Sequence, residues 1–249
     1  VQKSAKKTFS PGLYDLTELQ RDANRRFGFS AKETLNIMQR LYEQHKVLTY
    51  PRTDSRYIGS DIVPTIKERL KACNIGPYKK FIPSLLKAPI KTSKAFVDDA
   101  KVSDHHAIIP TEEYVQLEHM SNDERKIYDL VIRRFISVLY PAFEYEQTTL
   151  KASAAGQAFT AKGKVIRSPG WKAIYDSSSA ADSSFLDDPE EDDASWQSCE
   201  QPLPLLKKGE QLSISQISLT TGKTKPPARF TEATLLTAME NPVKYMESR

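Results

Sequence analysis

Apolar residues recur every three to four positions through most of the first 141 residues, and that spacing predicts helices. Leu16 and Leu19 follow Asp15 and Glu18 in capping-box positions, with Gly28 as a stop; Leu35, Met38, Leu41 and Tyr42 follow Ser30 and Glu33 in the same way. Ile62, Ile66 and Leu70 predict a third helix with Ser60 as its N-cap and Pro64 in its first turn. A long fourth helix is expected to open at Ser121 and Glu124, to run through Ile127, Leu130, Val131, Phe135 and Val138, and to close at Pro141. Between the second and third helices, Val47 to Thr49 reads as a short strand end. Pro51 holds Tyr50 extended there, and Thr53, Asp54 and Ser55 are turn-making and helix-starting types.

Beyond Pro141 the spacing changes to alternation. Residues 143 to 171 read as antiparallel strands broken at Gly156 and at Ser168-Pro169-Gly170, and Gln211 to Leu219 as a further strand. Residues 176 to 200 are rich in Ser and acid with little to bury, and read as a long solvated loop. From Lys223 a basic extended segment is expected to enter a helix near Thr231. The predicted fold class is α+β and multidomain: a helical, DNA-binding-like part carrying Tyr50, followed by an antiparallel β part. No solenoid repeat is present.

Composition sharpens this picture in one respect. The 249 residues carry a formal charge of +4, but nine acidic residues and no Lys or Arg lie between positions 176 and 200, which leaves the rest at +13. A body so basic fits a polyanionic partner as well as a plain solvated surface. No apolar run reaches the length of a membrane span, and no apolar core follows the basic N-terminus as a secretory signal would require. Cys73 and Cys199 have no metal-ligand spacing, so neither a zinc site nor a disulfide framework is expected and a reducing compartment fits.

The candidate chemistry lies in two polar clusters. A tyrosine phenol is a weak nucleophile at neutral pH unless its anion is stabilised. Arg52, two residues along an extended chain from Tyr50, points to the same face with a planar fork that fits two phosphate oxygens. The second cluster sets Ser103, Asp104, His105 and His106 before a buried-looking Ala-Ile-Ile-Pro run. Adjacent residues on an extended chain face opposite sides, so a phosphate contact or proton transfer by one of the histidines fits better than a metal, with a plain loop histidine as the alternative.

The stretch LTYPRTDSRYI at Leu48–Ile58 resembles the active-site tyrosine motif of type IA DNA topoisomerases. DHHAIIPT at Asp104–Thr111 resembles their second motif and PPARFTEATLL at Pro226–Leu236 a third, in the same order, with the form of bacterial topoisomerase III. The resemblance implies an enzyme that cleaves single-stranded DNA through a 5′-phosphotyrosyl link, passes a strand and so relaxes or decatenates DNA. Tyr50 would be the nucleophile, Arg52 and His105 would hold phosphates at the catalytic centre, and Thr53, Asp54, Ser55, Ser103, His106, Arg229 and Thr231 would contact DNA. It further implies a toroid. Residues 1–15 would supply the first strand of its β arch, 16–141 the tyrosine-bearing helical domain, 142–222 the rest of the arch, and 223–249 the start of a helical DNA-groove domain.

Enzymes of this kind begin with a Toprim domain whose acidic residues hold Mg²⁺, and no such motif precedes Tyr50. The expectation is therefore a central fragment, inactive alone, with no metal of its own. The same resemblance implies a monomer in the bacterial cytoplasm at the nucleoid, with no membrane contact and a helicase as cellular partner. Two alternatives carry different marks. Tyrosine recombinases and type IB enzymes place their Arg and His far ahead of the nucleophile, unlike Arg52, whereas a non-enzymatic DNA-binding module would use Tyr50 only for packing.

Overall fold

The computed structural model describes residues 1–175, 203–204, 206–224 and 226–245. The acidic stretch at 176–200 lies outside the described residues. The chain divides into two compact units. One comprises residues 1–8, 142–170 and the described part of 203–229; the other comprises 9–141, 171–175 and 230–245.

The first unit is a three-stranded antiparallel sheet of β1 (Gln2–Thr8), β2 (Phe143–Ala154) and β3 (Gln157–Ser168), with β2 central. Ala155 and Gly156 both take positive φ, 50° and 78°, which matches the tight primed turn that a two-residue hairpin favours. Lys7 pairs with Glu144 at 2.7 Å, and the Lys164 ammonium lies over the rings of Phe143 and Tyr145 at 4.9 and 4.5 Å. The strand expected at Gln211–Leu219 does not form. Leu212, Ile214, Ile217 and Leu219 are exposed and have no ladder among the described residues, because alternation names a face without naming what covers it.

In the second unit the local signals hold. Helix α1 (Leu16–Phe27) is capped by Asp15, whose carboxylate accepts from the Glu18 N–H at 2.6 Å, and it ends at Gly28 in the left-handed region. The reciprocal half of that capping box is absent, since Glu18 turns to Arg21 instead. Helices α2 (Ala31–Glu43) and α5 (Asn122–Val138) both open with complete capping boxes, Ser30 with Glu33 and Ser121 with Glu124. The third helix starts late: α3 spans Ile66–Ala72 behind a 3-10 turn at Val63–Thr65, and Ser60 is not its cap, its N–H donating instead to the Asp99 carboxylate at 2.7 Å. A short α4 (Ile82–Lys87) follows. Helix α6 (Glu232–Glu240), capped by Thr231, packs on α1.

Leu19, Ala23, Ile37, Met38, Leu41, Ile127, Val131 and Phe135 close the core between α1, α2 and α5. Each of the larger side chains among them contributes roughly 1.5–3 kcal/mol by leaving water. Within this core the Arg134 guanidinium donates to the Tyr14 hydroxyl at 3.0 Å and the Asp22 carboxylate at 2.9 Å. Burial opposes the Arg134 charge, but the oxygens of Tyr14, Tyr175, Asp22 and Glu18 outweigh it and hold the proton more tightly than usual. The same burial, with Asp22, pushes the Tyr14 phenol well up.

Candidate active site

The buried thread Ala107–Pro110 is the wall against which the Tyr50 segment is laid. Ile108 bridges Tyr14, and Pro110 bridges Leu48. The Thr49 N–H donates to the Ile109 carbonyl, and the Thr111 N–H to that of Val47, each at 3.0 Å. The expected strand end is thus a single antiparallel bridge. Pro110 has no N–H with which to extend the ladder.

Past Tyr50 the chain alternates, with Arg52 and Asp54 exposed and Thr53 and Ser55 buried. Three consecutive side chains then tie it to the loop at 101–105. The Thr53 hydroxyl donates to the His105 carbonyl at 3.1 Å, the Ser103 hydroxyl donates to the Asp54 carboxylate at 3.1 Å, and the Ser55 hydroxyl donates to the Lys101 carbonyl at 2.8 Å. The register descends on one segment as it rises on the other, like a ladder whose rungs are side chains. Thr53 and Ser55 also accept from the N–H groups of Ser55 and Tyr57, at 3.1 and 3.2 Å. Both hydroxyls expected to contact DNA are therefore occupied within the protein.

This clamp brings the two polar clusters together. The Tyr50 ring lies on the His105 ring with centroids 4.4 Å apart and planes 39° from parallel, and Tyr42 meets Tyr50 edge-on at 5.5 Å. Tyr50, His105 and His106 line one cleft of about 220 Å³ with Thr49, Asp61 and Asp104. The His106 Nδ1 lies 2.7 Å from the Ala107 carbonyl, which fixes its ring. Arg52 is exposed and has no hydrogen-bond or ion-pair partner among the described residues, so its fork is available to a ligand. Arg229 belongs to the sheet unit, and the Thr231 hydroxyl accepts from the Thr234 N–H at 3.2 Å as the cap of α6.

Sequence reasoning passed over Tyr42, Gly59 and Asp61. Gly59 carries a signal in retrospect, since a Cβ there would sit 2.2 Å from the Asp61 carboxylate. Nothing local marks Asp61. No group of three or more His, Cys, Asp or Glu side chains among the described residues is placed to hold a metal. No helix among them is long and apolar enough to cross a membrane.

Residues 1–242 match the family model described as DNA topoisomerase. The chain is 60% identical over 249 residues to the DNA topoisomerase 3 of Bacillus cereus (strain ATCC 14579), covering 100% of this chain and 33% of that protein. It is 56% identical over 247 residues to the DNA topoisomerase 3 of Bacillus subtilis (strain 168), covering 99% and 32%. The chain thus spans about a third of the length of the curated relatives it matches. Its fold is similar to that of full-length topoisomerase I from Thermotoga maritima, with a TM-score of 0.62 at 21% identity over 96% of this chain and 36% of that one. With the match running through both units and through all three motifs, the chain belongs to the DNA topoisomerase family.

Proposed function

We propose that this chain carries the nucleophile of a type IA, topoisomerase III-like enzyme acting on single-stranded DNA. The observation that carries the reading is the Tyr50 ring laid against His105 in one cleft with His106, while Arg52, two residues on in the chain, is exposed and unpartnered among the described residues. The Tyr50 hydroxyl gives up its proton as its oxygen attacks a backbone phosphorus; the new bond joins Tyr50 to the 5′ phosphate, the bond to the 3′ oxygen breaks, and that oxygen takes up one proton in return. One phosphate ester replaces another, so the step is near balance and reverses without ATP. Arg52 neutralises charge on the non-bridging oxygens with its planar fork, and His105 holds a neighbouring phosphate. Asp54, Ser103 and His106 border the DNA path, and Arg229 and Thr231 extend it in the whole protein.

The family resemblance supports placing the sheet unit in a β arch, the tyrosine-bearing helices in a mobile domain and residues from 223 onward at the start of a DNA-groove domain, all parts of one toroid. Mg²⁺ would be held by a Toprim domain of the whole protein. A monomer working with a helicase at the nucleoid completes the reading. The test uses the full-length protein with a 3′-labelled single-stranded oligonucleotide and Mg²⁺, since the piece that stays joined to Tyr50 carries the strand's 3′ end. A covalent adduct that survives denaturation and is absent in Tyr50→Phe is expected. An adduct that persists in Tyr50→Phe overturns the assignment.

A further inference from the structure

Between Arg69 and Val97 the chain carries seven basic residues and no Asp or Glu. Two of the seven are paired with carboxylates from outside that stretch: Arg69 with Glu112 and Lys71 with Glu68, both at 2.8 Å. The other five behave differently. Lys79 and Lys80 lie in the 3-10 turn at Gly76–Lys80, Lys87 ends α4, and Lys91 and Lys94 follow in the irregular segment beyond it. All five are exposed, and none pairs with a carboxylate among the described residues.

These lysines stand on a fixed base. Tyr78, Phe81, Ile82 and Phe96 are buried beneath them, and the Tyr78 hydroxyl donates to Asp129 of α5 at 3.0 Å. The segment then returns to the Tyr50 side of the unit, where Val97 bridges Ile58. Five like charges gathered within sixteen residues repel one another, and a polyanion relieves that repulsion while releasing its own condensed counterions.

We propose that Lys79, Lys80, Lys87, Lys91 and Lys94 form a second nucleic-acid surface, apart from the Tyr50 cleft, that holds the backbone of duplex DNA. The inference takes DNA as ligand from the function proposed above, but none of its chemistry. Duplex is favoured over single strand because tracks for single strands set exposed aromatic rings among their cations as stacking platforms. Here Tyr78, Phe81 and Phe96, the only aromatics between 69 and 97, are all buried. A surface of charge alone gains most from duplex, which presents a phosphate about every 1.7 Å along its axis. The site would thus grip the double-stranded flank of a partly melted substrate without reading its sequence.

The test compares full-length protein in a Tyr50→Phe background, which separates binding from any cleavage, with the same protein carrying all five lysines changed to Gln. Affinity for a blunt duplex and for an oligo(dT) single strand is measured from about 50 to 200 mM salt. The expected result is a duplex affinity at least ~10-fold weaker, with a salt slope shallower by up to about 4, from roughly 0.9 per lost phosphate contact. Single-strand affinity should change much less, and the five-Arg variant should bind duplex as the parent does. Unchanged duplex affinity and slope would overturn the surface. Equal losses for duplex and single strand would overturn its assignment to duplex.

Discussion

The Thr53 hydroxyl donates to the main-chain carbonyl of His105 at 3.1 Å, so a buried threonine sets the position of the ring stacked on Tyr50. Thr53→Val keeps the shape and removes both bonds of the hydroxyl, to the His105 carbonyl and from the Ser55 N–H, and should cost roughly 1–3 kcal/mol of stability. A misplaced His105 should also slow single-strand cleavage on the order of 10-fold or more in the full-length protein at saturating DNA. Thr53→Ser should cleave nearly as the parent does. The His105 ring protons, shielded by Tyr50, give a second readout by NMR and should move toward their free positions only in Thr53→Val. Normal cleavage with unmoved resonances in Thr53→Val would remove the positioning role.

Arg52 offers a sharper division between chemistry and affinity. Its fork should matter most as charge gathers on the phosphate, so Arg52→Ala is expected to lose ~100-fold or more in cleavage rate, about 3 kcal/mol, even when saturated with DNA. Arg52→Lys, a point charge without the fork, should recover only part. If Arg52→Ala merely binds more weakly, with a deficit that shrinks at high salt and a normal rate at saturation, Arg52 steers DNA and does no more.

Glu124 predicts an acid limit to stability. Burial disfavours its charge, but the Arg40 guanidinium at 2.7 Å, the Ser121 N–H and hydroxyl, and His45 outweigh that and hold the carboxyl down to about 2 against an ordinary 4.5. The folded value is the lower one, so the contribution is full above about 4.5 and is lost as pH falls toward about 2. Glu124→Gln should destabilise by roughly 1–2 kcal/mol at neutral pH, discounted for the half-open Arg40, and should flatten urea-unfolding stability across that window. A variant whose pH profile parallels the parent's would show that other carboxyls set the limit.

Helix α6 is held on α1 and α2 by exchanged caps. Glu232 accepts from the Ala31 N–H at 2.7 Å, Asn24 accepts from the Ala233 N–H at 3.2 Å, and Arg21 joins Glu18 to Glu240 across the pair. Arg21→Ala should leave α1 folded and speed amide exchange of residues 232–240 several-fold, consistent with loss of about 1 kcal/mol of docking. Exchange that rises equally in α1 and α6 would mean that Arg21 supports the core and not the docking.

What was legible in the sequence was what lies within about four residues. The caps at Asp15, Ser30 and Ser121 and the stop at Gly28 rest on bonds between near neighbours, and all four formed. Tyr50 and His105 were each conspicuous in their own motifs, but their stacking depends on rungs joining 53–55 to 101–105, which no local spacing encodes. The resemblance set Thr53 and Ser55 beside Arg52 as DNA contacts, whereas alternation along the chain puts them on the face opposite Arg52. The core lies on their side of the chain, and so their hydroxyls point inward. Tyr42 read as a helix packing position, yet it is part-exposed and meets Tyr50 edge-on. At Ser60 the expected cap failed because the helix opens only at Ile66, behind the 3-10 turn at Val63–Thr65, and the Ser60 N–H goes to Asp99, remote in sequence.

The Trp171 N–H donates to the Pro141 carbonyl at 3.0 Å, where the chain comes back to the helical unit after leaving it for β2 and β3. The excursion therefore begins and ends at one stitched point, and Trp171, fully buried, seals the seam from inside. A detour of that kind is free to vary in length without moving either of its ends. Lineages could lengthen or trim the hairpin beyond Thr149, where its pairing with β1 ends, while the helical unit inherits an unaltered frame, and an engineer could vary the same outer span on the same terms.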